Sequence, residues 1–163
     1  MNNFIFTLII GTGATALMDL WGFARKPLLG ISTPNYALVG RWIAHMTHGR
    51  FCHDSIAASP SVRGEIIIGW TAHYLIGITF AALLIGIWGS AWIHKPTIGP
   101  ALIVGIGTVV APFLLMQPSM GAGVAASRTP SPVSNRLQSL ITHAVYGFGL
   151  YASGKGLHFM CAT

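Results

Sequence analysis

The apolar positions of this chain fall into four long blocks. Residues 4–24 carry one charged side chain, Asp19. Residues 66–93 and 98–116 carry none, and neither does the stretch between Arg136 and Lys155. A helix needs about 20 apolar residues to cross the hydrocarbon of a bilayer, and each block approaches or exceeds that length. The pattern predicts spans at 4–24, 66–88, 98–117 and 137–155, with loops at 25–63 and 118–136. The expected fold is all-α, an integral membrane four-helix bundle forming one transmembrane domain over residues 1–163.

Helical periodicity returns inside the first loop. Val39, Trp42, Ile43 and Met46 recur at i, i+3, i+4 and i+7. Thr33 offers an N-cap with Pro34 at the first helical position, and Gly49 suits a C-terminal stop. Arg41, His45 and His48 fall on the opposite face. The spacing predicts a short amphipathic helix on the cytoplasmic surface of the membrane, after the first span.

Composition strengthens the membrane reading. Charged residues are 7% of the 163, against about 25% in a soluble domain. Nine basic and three acidic side chains cannot cover a water-soluble protein of this size. The four blocks leave no room for a soluble catalytic domain.

The net charge of +6 is unevenly spread. Arg25, Lys26, Arg41, Arg50 and Arg63 follow the first block, and Arg128 and Arg136 follow the third. Lys95 and Lys155 stand alone in the second loop and the tail. The positive-inside rule places the first and third loops in the cytoplasm and both termini outside. The sequence starts "MNN", and charge follows the first block instead of preceding it. That predicts an uncleaved span and not a signal peptide. The basic excess matches anionic lipid headgroups; the bilayer is the expected partner, and no nucleic-acid motif appears. On this topology Cys52 lies inside and Cys161 outside, so they cannot pair.

Each predicted span carries one conspicuous polar residue: Asp19, His73, Gln117 and His143. All four count to the cytoplasmic half of their spans. An ionisable group in hydrocarbon costs at least about 2.5 kcal/mol on insertion scales and faces a protein interior or a wet cavity. The four predict a shared polar pocket, open to the cytoplasm, that binds or transports a small polar ligand, a proton or a cation. Four short spans leave little interior for a pathway, so a homo-oligomer is expected.

Plainer readings stand beside this one. The two histidines could satisfy neighbouring carbonyls, Gln117 could end a helix before Pro118, and Asp19 could pair with Arg25. Such residues would then tie helices together in an accessory protein without a substrate. Two histidines on two helices can also ligate haem. Each is followed four residues later by glycine (Gly77, Gly147), which would make room for a macrocycle or for close helix packing. No GxSxG or HExxH occurs, and Asp19, Asp54 and Glu65 are the only acids. Enzyme chemistry would have to rest on those few acids and an Asp–His layer, so the residues favour a non-enzyme and leave both that question and the cofactor open.

The stretch "HMTHGRFCHD", 45–54, is rich in metal-ligating types. Its spacing matches no zinc-finger pattern, so a metal there stays open. His53 and Asp54 are the pair retained, as a local unit ordering the loop over the polar pocket.

"NYALVGRW", "GRFCHDSIA", "GWTAHYLIGITFAALL", "APFLLMQPSMGAGVAASRTP" and "HAVYGFGLY" together resemble the bacterial membrane family DUF2938, in order and over essentially the whole chain. The resemblance implies a small multi-span inner-membrane protein of bacteria. It places Arg41, Trp42, His53, Asp54, His73, Gln117 and His143 at motif positions, with Cys52 and His48 outside the motif. It implies no activity, because the family label denotes unknown function.

Overall fold

The computed structural model describes residues 3–162, without the side chains of 161 and 162. The Cys161 side chain and the first two residues, on which the disulfide and N-terminal expectations fall, therefore lie outside what is described. The described chain is all-helical. Its helices are α1 (Asn3–Leu29), α2 (Tyr36–Met46), α3 (Glu65–Trp88), α4 (Ala91–His94), α5 (Ile98–Gly107), α6 (Gln117–Ser119) and α7 (Pro132–Ala162). A π-helical turn fills Pro112–Met116 and a 3-10 turn fills Val124–Ala126.

Three segments are long and apolar enough to cross a membrane: Asn3–Leu29, Glu65–Trp88 and Ile98–Ser119. Large apolar side chains stay exposed along them, among them Leu20, Phe23, Ile67, Ile87 and Ile103. In water such a surface would drive association; in lipid it is the normal outer face. α7 has 31 residues, about 46 Å at 1.5 Å per residue. Its polar residues, Asn135, Arg136, Gln138, Thr142 and His143 among them, keep it below the apolarity of the other three.

Several boundaries differ from the sequence reading. α1 continues to Leu29, so Arg25 and Lys26 belong to the helix and not to the loop. Pro27 sits in the last turn, where a missing N–H forfeits one hydrogen bond only. Gly30, at φ +68°, ends the helix. The N-cap of α2 is Asn35 in place of Thr33: its side chain accepts the Ala37 N–H at 3.1 Å. Asn bonds the backbone at a cap as well as Thr does, and here it stands two residues further on. Gly49, at φ +75°, lies in the turn that follows α2. In the third apolar block, Pro112 has no N–H to donate and its ring crowds Thr108. The helix loosens there, and the Gln117 N–H reaches the Pro112 carbonyl, five residues back.

The chain divides into two compact units. The first comprises 1–33, 74–108 and 140–163. Its core is Ile10, Ala14, Leu84, Val104, Tyr146 and Leu150 with their apolar neighbours. Small residues let its backbones touch. Gly11 lies against the Ile78 backbone, Gly149 against Ala14, and Gly105 against Gly147. This is the close approach expected of helices that cannot rely on water exclusion to associate.

The second unit comprises 34–73 and 109–139. α2 and the first turns of α3 meet there through two glycines. Gly40 lies on the Glu65 carbonyl and Gly69 on the Tyr36 carbonyl. The rest is mostly loop, ordered by side chains that reach backbone carbonyls.

Candidate functional site

The first unit buries two charged groups on one apolar helix. Asp19 is 9% and Arg25 6% exposed, both on α1. The Tyr74 hydroxyl of α3 hydrogen-bonds to Asp19. Arg25 donates from Nη1 to Thr142 Oγ1 and from Nη2 to the Ser32 carbonyl, each at 3.3 Å. Its Nε is buried without a hydrogen-bond partner among the described residues. The guanidinium therefore spends its hydrogen bonds on neutral oxygens, and Asp19 is not among their acceptors. The sequence used Arg25 as a topology marker and as a possible partner for Asp19; here it lies inside the longer α1, bonded to Thr142 and Ser32 instead.

His143 stands on α7 in the same unit. Its Nδ1 lies 3.1 Å from the Gly105 carbonyl and 3.2 Å from Thr108 Oγ1. The Thr108 hydroxyl donates to Gly105 O at 2.8 Å. A carbonyl only accepts, so Nδ1 carries hydrogen, and a neutral ring leaves Nε2 as a bare acceptor. The tautomer is assigned from these partners. One turn on, Tyr146 donates to the Gly77 carbonyl at 2.6 Å. The space beside Gly77 is taken by Thr15, and that beside Gly147 by Ala101, Leu102 and Gly105. Both glycines serve close helix packing, and a flat macrocycle would have to displace those neighbours.

His73 and Gln117 belong to the second unit. The His73 ring stacks on Tyr36, with centroids 4.1 Å apart and 26° between planes, and meets Trp70 edge-on at 5.8 Å. Gln117 follows the π-helical turn, and its Oε1 is buried without a partner among the described residues. Asp19 and His143 thus fall in one unit and His73 and Gln117 in the other.

Around α2 the second unit builds a polar network that sequence reading largely missed. Arg41 grips Glu65 with two parallel bonds, Nε to Oε2 and Nη2 to Oε1, each 2.8 Å. Their side chains are 12% and 15% exposed. Nη1 of Arg41 reaches the Ile56, Ala57 and Ser59 carbonyls at 3.3, 3.3 and 2.9 Å. Only a guanidinium offers donors in that fork, so lysine could not replace it. Glu65, bonded to the guanidinium, pushes the Arg41 pKa up further. Glu65 also accepts the Val62 N–H at 3.0 Å. Trp42 Nε1 donates to the Phe51 carbonyl at 2.9 Å.

The histidine cluster of residues 45–54 resolves here. His45 and His53 are 8% and 7% exposed, with His45 Nδ1 2.8 Å from His53 Nε2. His45 Nε2 lies 3.1 Å from the Pro60 carbonyl. This corrects the sequence reading twice. His45 is buried and not on the wet face, and the ring partner of His53 is His45 instead of Asp54, which is exposed. The 3.6 period groups histidine with arginine as polar, and it cannot see that a loop folds back over the helix end. His48 and Cys52 are exposed. The backbone of the loop is pinned from 117–121: the His53 N–H donates to Ser119 O at 2.9 Å and the Ile56 N–H to Met120 O at 3.1 Å. Among the described residues no three His, Cys, Asp or Glu side chains gather as a metal-binding group.

The sequence model of one family, described as protein of unknown function (DUF2938), matches residues 8–156. No curated protein and no solved structure matches the chain.

Proposed function

We propose, for a chain that belongs to the DUF2938 family of proteins of unknown function, a multi-pass inner-membrane protein that binds or transports a small polar ligand, a proton or a cation. α7 serves as a fourth span, the two longest loops lie in the cytoplasm, and both termini lie outside. The charge distribution supports that topology. A C-terminal reporter active only outside the cytoplasm tests it; activity of a cytoplasm-only reporter at the same fusion point would overturn it.

The observation that carries the functional reading is the burial of Asp19 and Arg25, 9% and 6% exposed, on an apolar helix of 27 residues. Charge in a span is expensive and marks a binding or conduction role by default. In the first unit Asp19 and His143 are the binding groups. In the second unit they are His73 and Gln117, with His53 and Asp54 in the loop. The test is flux. Full-length protein in proteoliposomes enclosing a pH-sensitive dye is given a proton, sodium or potassium gradient. Flux above empty vesicles, lost in Asp19→Asn and His143→Gln, is the expected result. Flux equal to empty vesicles under all three gradients would remove the reading for those ions.

A second reading, a structural or accessory protein without a substrate, is favoured by the bonds His143 and Tyr146 make to backbone carbonyls of α5 and α3. On that reading His143→Gln lowers thermal stability and no flux exists to lose.

A further inference from the structure

The hydrogens of the His45–His53 pair follow from its acceptors. The Pro60 carbonyl only accepts, so His45 Nε2 carries hydrogen. A neutral His45 then has a bare Nδ1, and the hydrogen between the rings belongs to His53 Nε2. A neutral His53 is left with a bare Nδ1. That atom is buried and has no hydrogen-bond partner among the described residues. The chain of hydrogen bonds therefore starts at a carbonyl and ends at one unoccupied, solvent-excluded nitrogen.

We propose that His45 and His53 form a buried site for a single proton, taken up at His53 Nδ1. That nitrogen is shielded from solvent, and no third metal-binding side chain joins the pair among the described residues. One added proton keeps the geometry. His53 gains Nδ1–H, and its Nε2 hydrogen either stays or crosses to His45 Nδ1, so the positive charge is shared by both rings. A second proton does not fit: both facing nitrogens would carry hydrogen across a gap of 2.8 Å. The second uptake must part the rings and free the loop from the end of α2.

The charged groups of the packed elements are Arg41 of α2 and Glu65 of α3, which bond each other. Cys52, Asp54 and His48 are exposed. Segment 117–121 contributes backbone and the neutral Gln117. The inference rests on the proposed function for its ligand class and names the proton as the ligand of the second unit.

The test uses full-length protein in detergent, labelled with nitrogen-15 in histidine and titrated from about pH 8 to about pH 5. At the alkaline end both rings are expected as Nε2–H tautomers. Two protonation steps, separated by more than about one pH unit, mark coupled sites, and His53→Gln should collapse them to one. His48→Gln should remove one signal and leave both steps in place. An Nδ1–H tautomer on either ring, or two independent titrations unmoved by His53→Gln, overturns the proposal. The wild-type spectrum decides even if the variant does not fold, and neither outcome depends on flux.

Discussion

The two units are held by different means. In the first, backbones approach each other across glycine and alanine, and its cross-helix hydrogen bonds from Tyr146 and His143 end on carbonyls of packed helices. In the second, one short helix sends Arg41, Trp42 and His45 into a loop that has little regular structure of its own. The first depends on what is missing, a side chain at a contact. The second shares that device at Gly40 and Gly69 and adds what is present, a donor of the right shape. Substitutions should therefore damage their distinctive parts in different ways.

The largest effect is expected from Gly105→Val. A Cβ there meets the Gly147 backbone, which has no flexible end to yield, so the first unit should lose about 3 kcal/mol. Thermal unfolding in detergent reads this. Gly86→Ala on α3 is the control, because nothing lies within 4 Å of it; it should gain up to about 1 kcal/mol of helix propensity. Equal losses at both glycines would show that close backbone packing does not hold the first unit together.

Glu65→Gln comes next and belongs to the second unit. It removes the charge that Arg41 grips and loosens a guanidinium that also holds three loop carbonyls. Protease cleavage within 50–63 should accelerate severalfold while the melting of the first unit stays put. If both change together, the units do not open separately.

Tyr146→Phe sharpens the picture for the first unit, where one buried hydroxyl bonds the Gly77 carbonyl at 2.6 Å. Its loss should cost about 1 kcal/mol, read by the same melting curve. The smallest effect is a gain. Ala125 adopts φ +47° and Ala126 φ +59°, a region alanine occupies at a cost and glycine does not. The Ala125 carbonyl accepts Arg136 Nε at 2.7 Å, which holds the turn. Ala125→Gly should stabilise the second unit by up to about 1 kcal/mol. A loss, measured as faster cleavage near 121–129, would mean that the methyl group packs.

The same contrast explains what the sequence disclosed. Apolar runs announced α1, α3 and the 98–119 segment, because a span is defined by length and hydropathy, both local properties. α2 was legible from Val39, Trp42, Ile43 and Met46, although its cap was placed two residues early. His45, Arg25 and the Arg41–Glu65 pair were not recognised as sites. Their partners lie between 7 and 117 residues away in sequence, and no period within a helix encodes that. Asp19, His73, Gln117 and His143 stood out by being polar in apolar surroundings. Which of them share a neighbourhood depends on helix phase, and composition does not carry phase.

Phase is also where the π-helical turn matters. A bond from Gln117 back to Pro112 fits one residue more into the turn than an α-helix does. Each residue of an α-helix advances the direction of its side chain by about 100°. Positions 117–119, which continue the helix, are thus rotated by roughly that angle against residues 110 and 111 just before the turn. Deleting one residue from 112–116 would return Gln117 to the ordinary helical phase with its chemistry untouched. The segment therefore holds an angular offset that can be removed without altering any polar group.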